Sequence, residues 1–302
     1  MLIPVAGLSG VAFSLIGIAY RMGQPRGIVP GHVMVFIAAV GSIVFAVRSA
    51  GLPLGDVPLL VIALGVAAGL TQYVLVHVMK AALHMGPLSP AWCALGLSFL
   101  PTIAFSSISL GEQMTTMRGL ALIAGIACVL VASACQHPPP ARPMPVIGGR
   151  DRVQSASRLA YVGVLLLIPT FNCVTQISIK VLGRPNAEGG SMADRFGTVF
   201  LLLMYSVIGT SLVIELLVTR NYRVPLLHTA GLGFMAAAGS TIGMTGLTAC
   251  AALPAAILFP LSNVVSILVA AIVSTAAFGE RRSLAWYGTV GFGALTVVLA
   301  NL

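Results

Sequence analysis

The sequence predicts an all-α integral membrane protein of ten transmembrane helices, arranged as two inverted five-helix repeats around a central cavity. Three observations lead to this fold class. Of the 302 residues, 58% are hydrophobic and only 8% are charged, whereas about a quarter of the residues of soluble domains are charged. The apolar residues form runs of about twenty, the length that crosses ~30 Å of hydrocarbon. One run in each half also ends in the same Gly-Glu signature, which indicates an internal duplication.

Ten apolar runs follow one another along the chain, separated by short polar breaks. The mean hydropathy of +1.03 leaves no stretch for a soluble nucleotide-binding or catalytic domain, and we expect no cofactor. The first run has no basic start and no small-residue cleavage site, so it is predicted to be a retained span rather than a signal peptide. The predicted spans are residues 2–20, 32–48, 58–80, 88–110, 117–135, 159–180, 196–219, 228–250, 255–278 and 285–301.

The evidence for duplication lies in matched helix ends. In the first half, an apolar run closes with Leu110-Gly111-Glu112 and Gly119 opens the next run. In the second half, Phe278-Gly279-Glu280 and Gly288 repeat this arrangement. Weaker matches are a cation in the last turn of spans one and six, and glycines four residues apart in spans three and eight, which would let helices approach closely. These residues are Arg21 and Lys180, and Gly65-xxx-Gly69 and Gly239-xxx-Gly243.

A stretch rich in proline, glycine and arginine at residues 136–158 separates the halves. Proline disrupts a helix interior and arginine is costly in lipid, so this stretch is predicted to be an exposed linker. The chain therefore divides into a first repeat (1–135), the linker (136–158) and a second repeat (159–302). Each repeat holds five spans. Because five is odd, the two repeats must have opposite orientations across the membrane.

The segment from Leu253 to Asn263, followed by Phe278-Gly-Glu-Arg-Arg282, resembles the second EamA-type repeat of the drug/metabolite transporter superfamily. The first-half counterpart runs from Gly86-Pro-Leu-Ser-Pro90 to Leu110-Gly-Glu-Gln113. The resemblance covers essentially the whole chain. It implies an alternating-access transporter with a central cavity between the halves and both termini in the cytoplasm, and it hardly specifies the substrate.

The charge distribution conflicts with that orientation. The formal net charge of +9 lies almost wholly in loops and helix ends, which is typical of contact with anionic lipid head groups rather than nucleic acid. Most Arg and Lys residues fall in the breaks after the odd-numbered spans. The positive-inside rule alone would therefore place both termini outside, and the two expectations stay open. We expect the protein in a bacterial inner membrane.

Span three carries the first predicted binding residues. Tyr73, His77, Lys80 and His84 lie within about 60° of one another on an α-helix. A lysine between two imidazoles could hold a carboxylate-bearing substrate, and His77 is the candidate for coupling transport to protons. Alternatively, Lys80 and His84 lie beyond the end of the span and extend to the lipid head groups.

Spans four, six and nine supply further candidates. Pro169 interrupts span six, and Asn172 and Gln176 follow it; a span of this kind can line a pathway. The alternative is an ordinary kink with hydrogen bonds between helices. Asn263 in span nine and Trp92 in span four are also predicted to line the cavity, although Trp92 could equally belong to an interfacial aromatic belt.

The acidic residues and cysteines are interpreted structurally. Glu112 and Glu280 fall at opposite membrane faces of an inverted repeat, so each is predicted to cap the following helix or to pair with a nearby cation. Glu215 is expected to extend to the interface. Without a deep carboxylate, a proton-coupled cation exporter is disfavoured. All five cysteines fall inside spans without ligand spacing, so no metal site is predicted.

These observations predict a secondary active transporter, not an enzyme, that moves a small polar organic metabolite, amino-acid-like or anionic, by alternating access. The alternative is a flippase for lipid head groups or amphiphiles. An intramembrane enzyme is less favoured, because span three offers His77 and His84 without an acid at helical spacing. The expected partners are the substrate and membrane lipids, with no nucleic acid, and the protein is a monomer or a homodimer.

Overall fold

The computed structural model describes residues 2–23, 28, 30–85, 91, 94–135, 158–185, 190–219, 226–278 and 284–300. These residues form an all-helical structure without a β-strand. Apart from a 3₁₀ turn at Leu54–Asp56, the named elements are α1 (Leu2–Gly23), α2 (Pro30–Ser49), α3 (Leu59–Met85), α4 (Phe99–Ser109), α5 (Thr116–Cys135), α6 (Arg158–Leu182), α7 (Met192–Thr219), α8 (Leu226–Ala249), α9 (Ala255–Phe278) and α10 (Leu284–Ala300).

Each predicted apolar run contains one of these helices, and the largest departure is in span four. The run predicted at 88–110 contains a turn at residues 97 and 98, and α4 begins only at Phe99. Pro101 explains the break, because proline has no N–H for the carbonyl of Leu97 and its ring clashes with that carbonyl. Leu100 N instead bonds Leu97 O at 3.0 Å, a tighter one-turn bond. The predicted linker, apart from Arg158, lies outside the described residues.

Seven helices are long and apolar enough to cross a membrane in the part of the chain that the structure describes. Three shorter apolar helices, Ala94–Ser109, Thr116–Val131 and Trp286–Leu299, accompany them. Large apolar side chains also face outward, and Val47 and Leu59 are 71% and 79% exposed. Such exposure is unfavourable in water and favourable in lipid. The structure is that of an α-helical, membrane-embedded protein.

The helices pack in pairs that relate the two halves. Helix α1 packs against α8 and α9, and α6 packs against α3 and α4. Helix α2 contacts α7 and α8, α3 also contacts α7, and α5 packs against α10. If each helix is replaced by its counterpart in the other half (α1 by α6, α2 by α7 and so on), the same set of helix pairs results. The contacts of α9 with α5 and with α10 are exceptions, since no contact of similar extent joins α4 to α10 or to α5 among the described residues.

Contacts between helix ends show how the helices run. Cys250 Sγ, just after α8, lies 3.2 Å from the carbonyl oxygen of Leu2 at the start of α1. Arg48 at the end of α2 donates to the hydroxyl of Thr245 near the end of α8, at 3.2 Å. The starts of α1 and the ends of α2 and α8 therefore lie together, and we call this the N-terminal end of the bundle.

The four glycines singled out in spans three and eight do lie at close helix contacts, but they do not support the duplication. Gly65 and Gly69 face α7, where a Cβ atom at Gly69 would be 2.7 Å from that of Val207. Gly239 and Gly243 face α1 instead. In a duplication, α8 is the counterpart of α3 and α2 is the counterpart of α7. The α8 glycines would then face α2, whereas they face α1. Glycine-rich helices carry small residues on several faces, so the same spacing recurs by chance.

Candidate functional site

A chain of neutral polar side chains joins α3, α4 and α6 inside the bundle. Gln72 Nε2 donates to Asn172 Oδ1 and to Thr175 Oγ1, each at 3.0 Å. Asn172 Nδ2 donates to the hydroxyl of Ser98 at 2.7 Å, and Gln176 Nε2 donates to the same hydroxyl at 3.0 Å. Thr102 Oγ1 donates to Gln176 Oε1 at 3.0 Å. We call these six residues the amide network: Gln72, Ser98, Thr102, Asn172, Thr175 and Gln176.

The local sequence explains how the network assembles. Asn172, Thr175 and Gln176 are spaced i, i+3 and i+4, so they share one face of α6. Ser98 enters the network from the break that precedes α4, and it is fully buried. Thr175 and Gln176 are also buried, at 5% and 7% exposure. Burying polar groups costs free energy unless they are hydrogen-bonded, and here each makes at least one bond across helices.

The network retains hydrogen-bonding capacity for a ligand. Gln72 Oε1 accepts no hydrogen bond from any described residue, since both hydrogen bonds of this side chain use its nitrogen. The Ser98 hydroxyl accepts from two amides and keeps its own hydrogen to donate. The network carries no formal charge. These groups match a neutral or zwitterionic polar ligand, which offers both donors and acceptors.

A second polar cluster lies on another face of α3, against α7. Glu215 Oε2 is 3.1 Å from His77 Nε2 and accepts a long hydrogen bond of 3.5 Å from the hydroxyl of Tyr73. The Tyr73 and His77 rings meet edge to face, with centroids 4.7 Å apart. His77 Nε2 is close to the carboxylate but is not aligned for a hydrogen bond, so we interpret the contact as electrostatic. The side chains of His77 and Glu215 are 37% and 30% exposed.

Glu215 was expected to extend to the interface, and the structure shows that its carboxylate, 30% exposed, also has partners on a neighbouring helix. Because α3 packs directly on α7, the carboxylate comes to lie beside His77 and Tyr73. A histidine and an acid therefore do meet, although on different helices.

The remaining predicted site residues are distributed around these two clusters. Lys80 is exposed, one turn beyond His77 on α3. Asn263 Nδ2 donates to the carbonyl of Gly96 at 3.3 Å and so ties α9 to the segment before α4. Trp92 and the side chain of His84 lie outside the described residues. The structure thus separates the predicted site into two clusters. Asn172 and Gln176 belong to the cluster between α6 and α3, and Tyr73 and His77 belong to the cluster between α3 and α7.

Sequence reasoning did not place Gln72, Ser98, Thr102 and Thr175 in the site. Gln72 directly precedes Tyr73, so it is rotated by about 100° from the predicted stripe and faces a different helix. The sequence feature that could have identified Gln72 is an amide side chain in the middle of an apolar run. Pairing it with Asn172 required knowledge that α3 and α6 are neighbours.

Glu112 was expected to cap the following helix or to pair with a cation. In the structure it pairs with a cation and caps a different helix. Its Oε1 atom is 2.6 Å from Lys180 Nζ. Its Oε2 atom accepts a hydrogen bond from the backbone N–H of Ala255 at 2.7 Å, so it caps α9 rather than α5. Glu280, the second-half counterpart, lies outside the described residues.

Comparison with known proteins bears on the fold alone. No protein-family model and no curated protein matches the sequence. A solved structure, described only as a crystal structure of a protein, superposes over 99% of this chain and 96% of its own length, with a TM-score of 0.68 and 14% sequence identity. The chain therefore shares its fold with a crystallised protein, and the resemblance to the drug/metabolite transporter superfamily stays a prediction.

Proposed function

We propose that this protein is a secondary active transporter that moves a small polar organic metabolite across a membrane by alternating access. The amide network is the observation that carries the proposal. It joins α3 and α4 of the first half to α6 of the second half, and it combines buried amides with unused donor and acceptor groups. A polar site between two halves of a helical membrane protein is where a transporter of this architecture binds its substrate.

The proposed architecture has ten membrane crossings in two inverted repeats. Helix-end contacts support alternating crossings: α1, α7 and α9 begin at the N-terminal end of the bundle, and α2, α4, α6 and α8 finish there. The exchange of helix contacts between the halves supports the repeat. With five crossings in each half, the second repeat is inverted relative to the first.

The chemistry of the two clusters supports the substrate class and the coupling. The amide network suits a neutral or zwitterionic group, such as the polar end of an amino-acid-like compound, and exposed Lys80 is available to an anionic group. His77 Nε2 lies 3.1 Å from Glu215 Oε2, so the imidazole has a carboxylate partner with which it can exchange a proton. We therefore keep His77 as the candidate for proton coupling, with Glu215 as its partner.

A ligand screen tests the proposal. The purified protein is heated with a panel of metabolites at two pH values, because a ligand at 100 times its Kd stabilises by ~2.7 kcal/mol. We expect stabilisation by amino-acid-like or other small polar compounds, lost in Gln176→Leu. Thr170→Val is the matched control, since this exposed hydroxyl of α6 bonds the Leu166 carbonyl of its own helix at 2.9 Å and no other described residue.

Uptake of the stabilising compound into proteoliposomes then separates a transporter from a protein that only binds it. Stabilisation by lipid-like amphiphiles alone would instead support a flippase. Polar ligands that act equally on wild type and Gln176→Leu would remove the amide network from the binding site.

A further inference from the structure

Lys180 holds three partners at the N-terminal end of the bundle. It is 3% exposed, in the last turn of α6. Its ammonium group donates to the carbonyl oxygens of Ala251 at 3.1 Å and Leu253 at 2.5 Å, and it pairs with Glu112 Oε1 at 2.6 Å. An ammonium has three hydrogens to donate, so each has an acceptor. One side chain therefore fastens the end of α6 to the α8–α9 loop and to the segment after α4.

Glu112 connects the two halves of the molecule. It follows α4 in the first half, whereas Lys180 and Ala255 belong to the second half. Gly111 adopts φ +71°, a left-handed conformation that favours glycine, and the turn lets the Glu112 N–H bond back to Ser106 O at 3.2 Å. The Gly-Glu pair that signals the repeat in the sequence thus places a carboxylate where it contacts the opposite half.

The ion pair lies next to the amide network. Lys180 and Gln176 are four residues apart, so they share one face of α6 and are about 6 Å apart along its axis. Because α6 ends at Leu182, Lys180 lies between Gln176 and the N-terminal end. A solute that reaches the network from this end along the same face of α6 passes Lys180 and its partner Glu112.

The surroundings allow the pair to separate. A pocket of about 220 Å³ adjoins it, lined by Glu112, Lys180, Arg184 and four neighbours. The Glu112 side chain is already 22% exposed, against 4% for Lys180. A buried ion pair contributes little net stability, because desolvation offsets the attraction. Water in the pocket can solvate both charges once they part, which makes this contact suited to forming in one state and breaking in another.

We propose that the Lys180–Glu112 pair is the gate at the N-terminal end of the transport pathway: it closes that end in the present conformation and breaks when the end opens. This inference rests on the proposed transport function. It assigns Lys180 and Glu112 a positioning role between the halves, and it does not require either residue to touch the substrate.

The test measures access to the amide network from each end. Thr175→Cys, in a variant lacking the other cysteines, is labelled with a membrane-impermeant maleimide in vesicles of either orientation, without ligand. Glu112→Gln keeps an acceptor for Ala255 N–H but removes the charge, and Lys180→Met removes the cation. We expect either change to speed labelling from the N-terminal end about tenfold, which corresponds to a shift of about 1.4 kcal/mol between closed and open states.

The matched control is Asp194→Asn. Asp194 caps the start of α7 at the same end of the bundle, where its Oδ2 accepts from the hydroxyl of Ser191 at 2.7 Å, within one half. Its labelling rate should equal that of the parent. Unchanged labelling in folded Glu112→Gln and Lys180→Met, or failure of both to fold, would overturn the gate in favour of a permanent structural contact. If only the gate proposal is wrong, the parent is still labelled from both ends. A parent that is labelled from neither end contradicts the transport function as well.

Discussion

Helices α1 and α6 occupy exchangeable places in the two halves, yet their contacts differ in chemistry. Helix α1 meets α8 and α9 through glycines: Gly239 and Gly243 of α8 abut α1, and Gly10 of α1 abuts the backbone of α9. Helix α6 meets α3 and α4 through the hydrogen bonds of the amide network. The same packing arrangement thus contains one close, small-residue interface and one polar interface.

This difference bears on the proposed transport function. A contact in which backbone lies against backbone cannot adjust without separating the helices. A network of amides and hydroxyls can exchange partners with a ligand at small cost, because each lost bond is replaced. The α1 interface is therefore the one suited to hold the helices rigidly together, and the α6 interface is the one suited to the ligand binding that we propose.

The largest effect is expected at the α1 interface. In Gly239→Ala, the new methyl group would collide with the carbonyl oxygen of Ala12 and lie 2.9 Å from Leu15 Cβ. Overpacking of this kind costs ~1–3 kcal/mol or more, so the melting temperature in detergent should fall markedly. Gly231→Ala on the same helix is the control, since its methyl group would meet nothing within 4 Å. Equal melting temperatures for both variants would refute the close α1–α8 contact.

A smaller effect is expected from comparing two buried serines. Ser98→Ala leaves the amides of Asn172 and Gln176 without their shared acceptor, and a typical intramolecular hydrogen bond contributes about 1 kcal/mol net. Ser14→Ala in α1 removes only a bond to the Val11 carbonyl of its own helix. We expect Ser98→Ala to have the lower melting temperature and to lose ligand-induced stabilisation. A similar loss in both variants would contradict the contrast between the interfaces.

The smallest effect on stability is expected at the second cluster. His77→Gln removes a partly exposed contact with Glu215, and exposed ion pairs contribute ~0–1 kcal/mol. The melting temperature should hardly change, while ligand uptake measured across pH should lose its pH dependence. Glu215→Gln should behave alike, because it removes the partner of the same pair. Uptake by His77→Gln with the wild-type pH profile would exclude His77 from proton coupling.

The positions of the helices along the chain could be predicted from the sequence, but which helices pack against each other could not. Apolar runs located all ten described helices because hydrophobic length is a property of the local sequence. The break at residues 97 and 98 was foreshadowed by Pro101, but its consequence, the entry of Ser98 into the network, depends on the position of α6. The pairing of Glu215 with His77 and of Glu112 with Lys180 likewise joins residues more than sixty positions apart, which periodicity cannot relate.

The most direct test of the account is two-sided labelling of Thr175→Cys in the cysteine-free protein reconstituted in sealed vesicles. Ser14→Cys, at a buried position of α1, is the counterpart. If the amide network lies in an alternating-access pathway, the cysteine at 175 is labelled from either side of the membrane and substrate slows the reaction, while the cysteine at 14 is labelled from neither. A cysteine at 175 that no impermeant reagent reaches from either side, with or without substrate, would show that the network is a structural contact and would contradict the account.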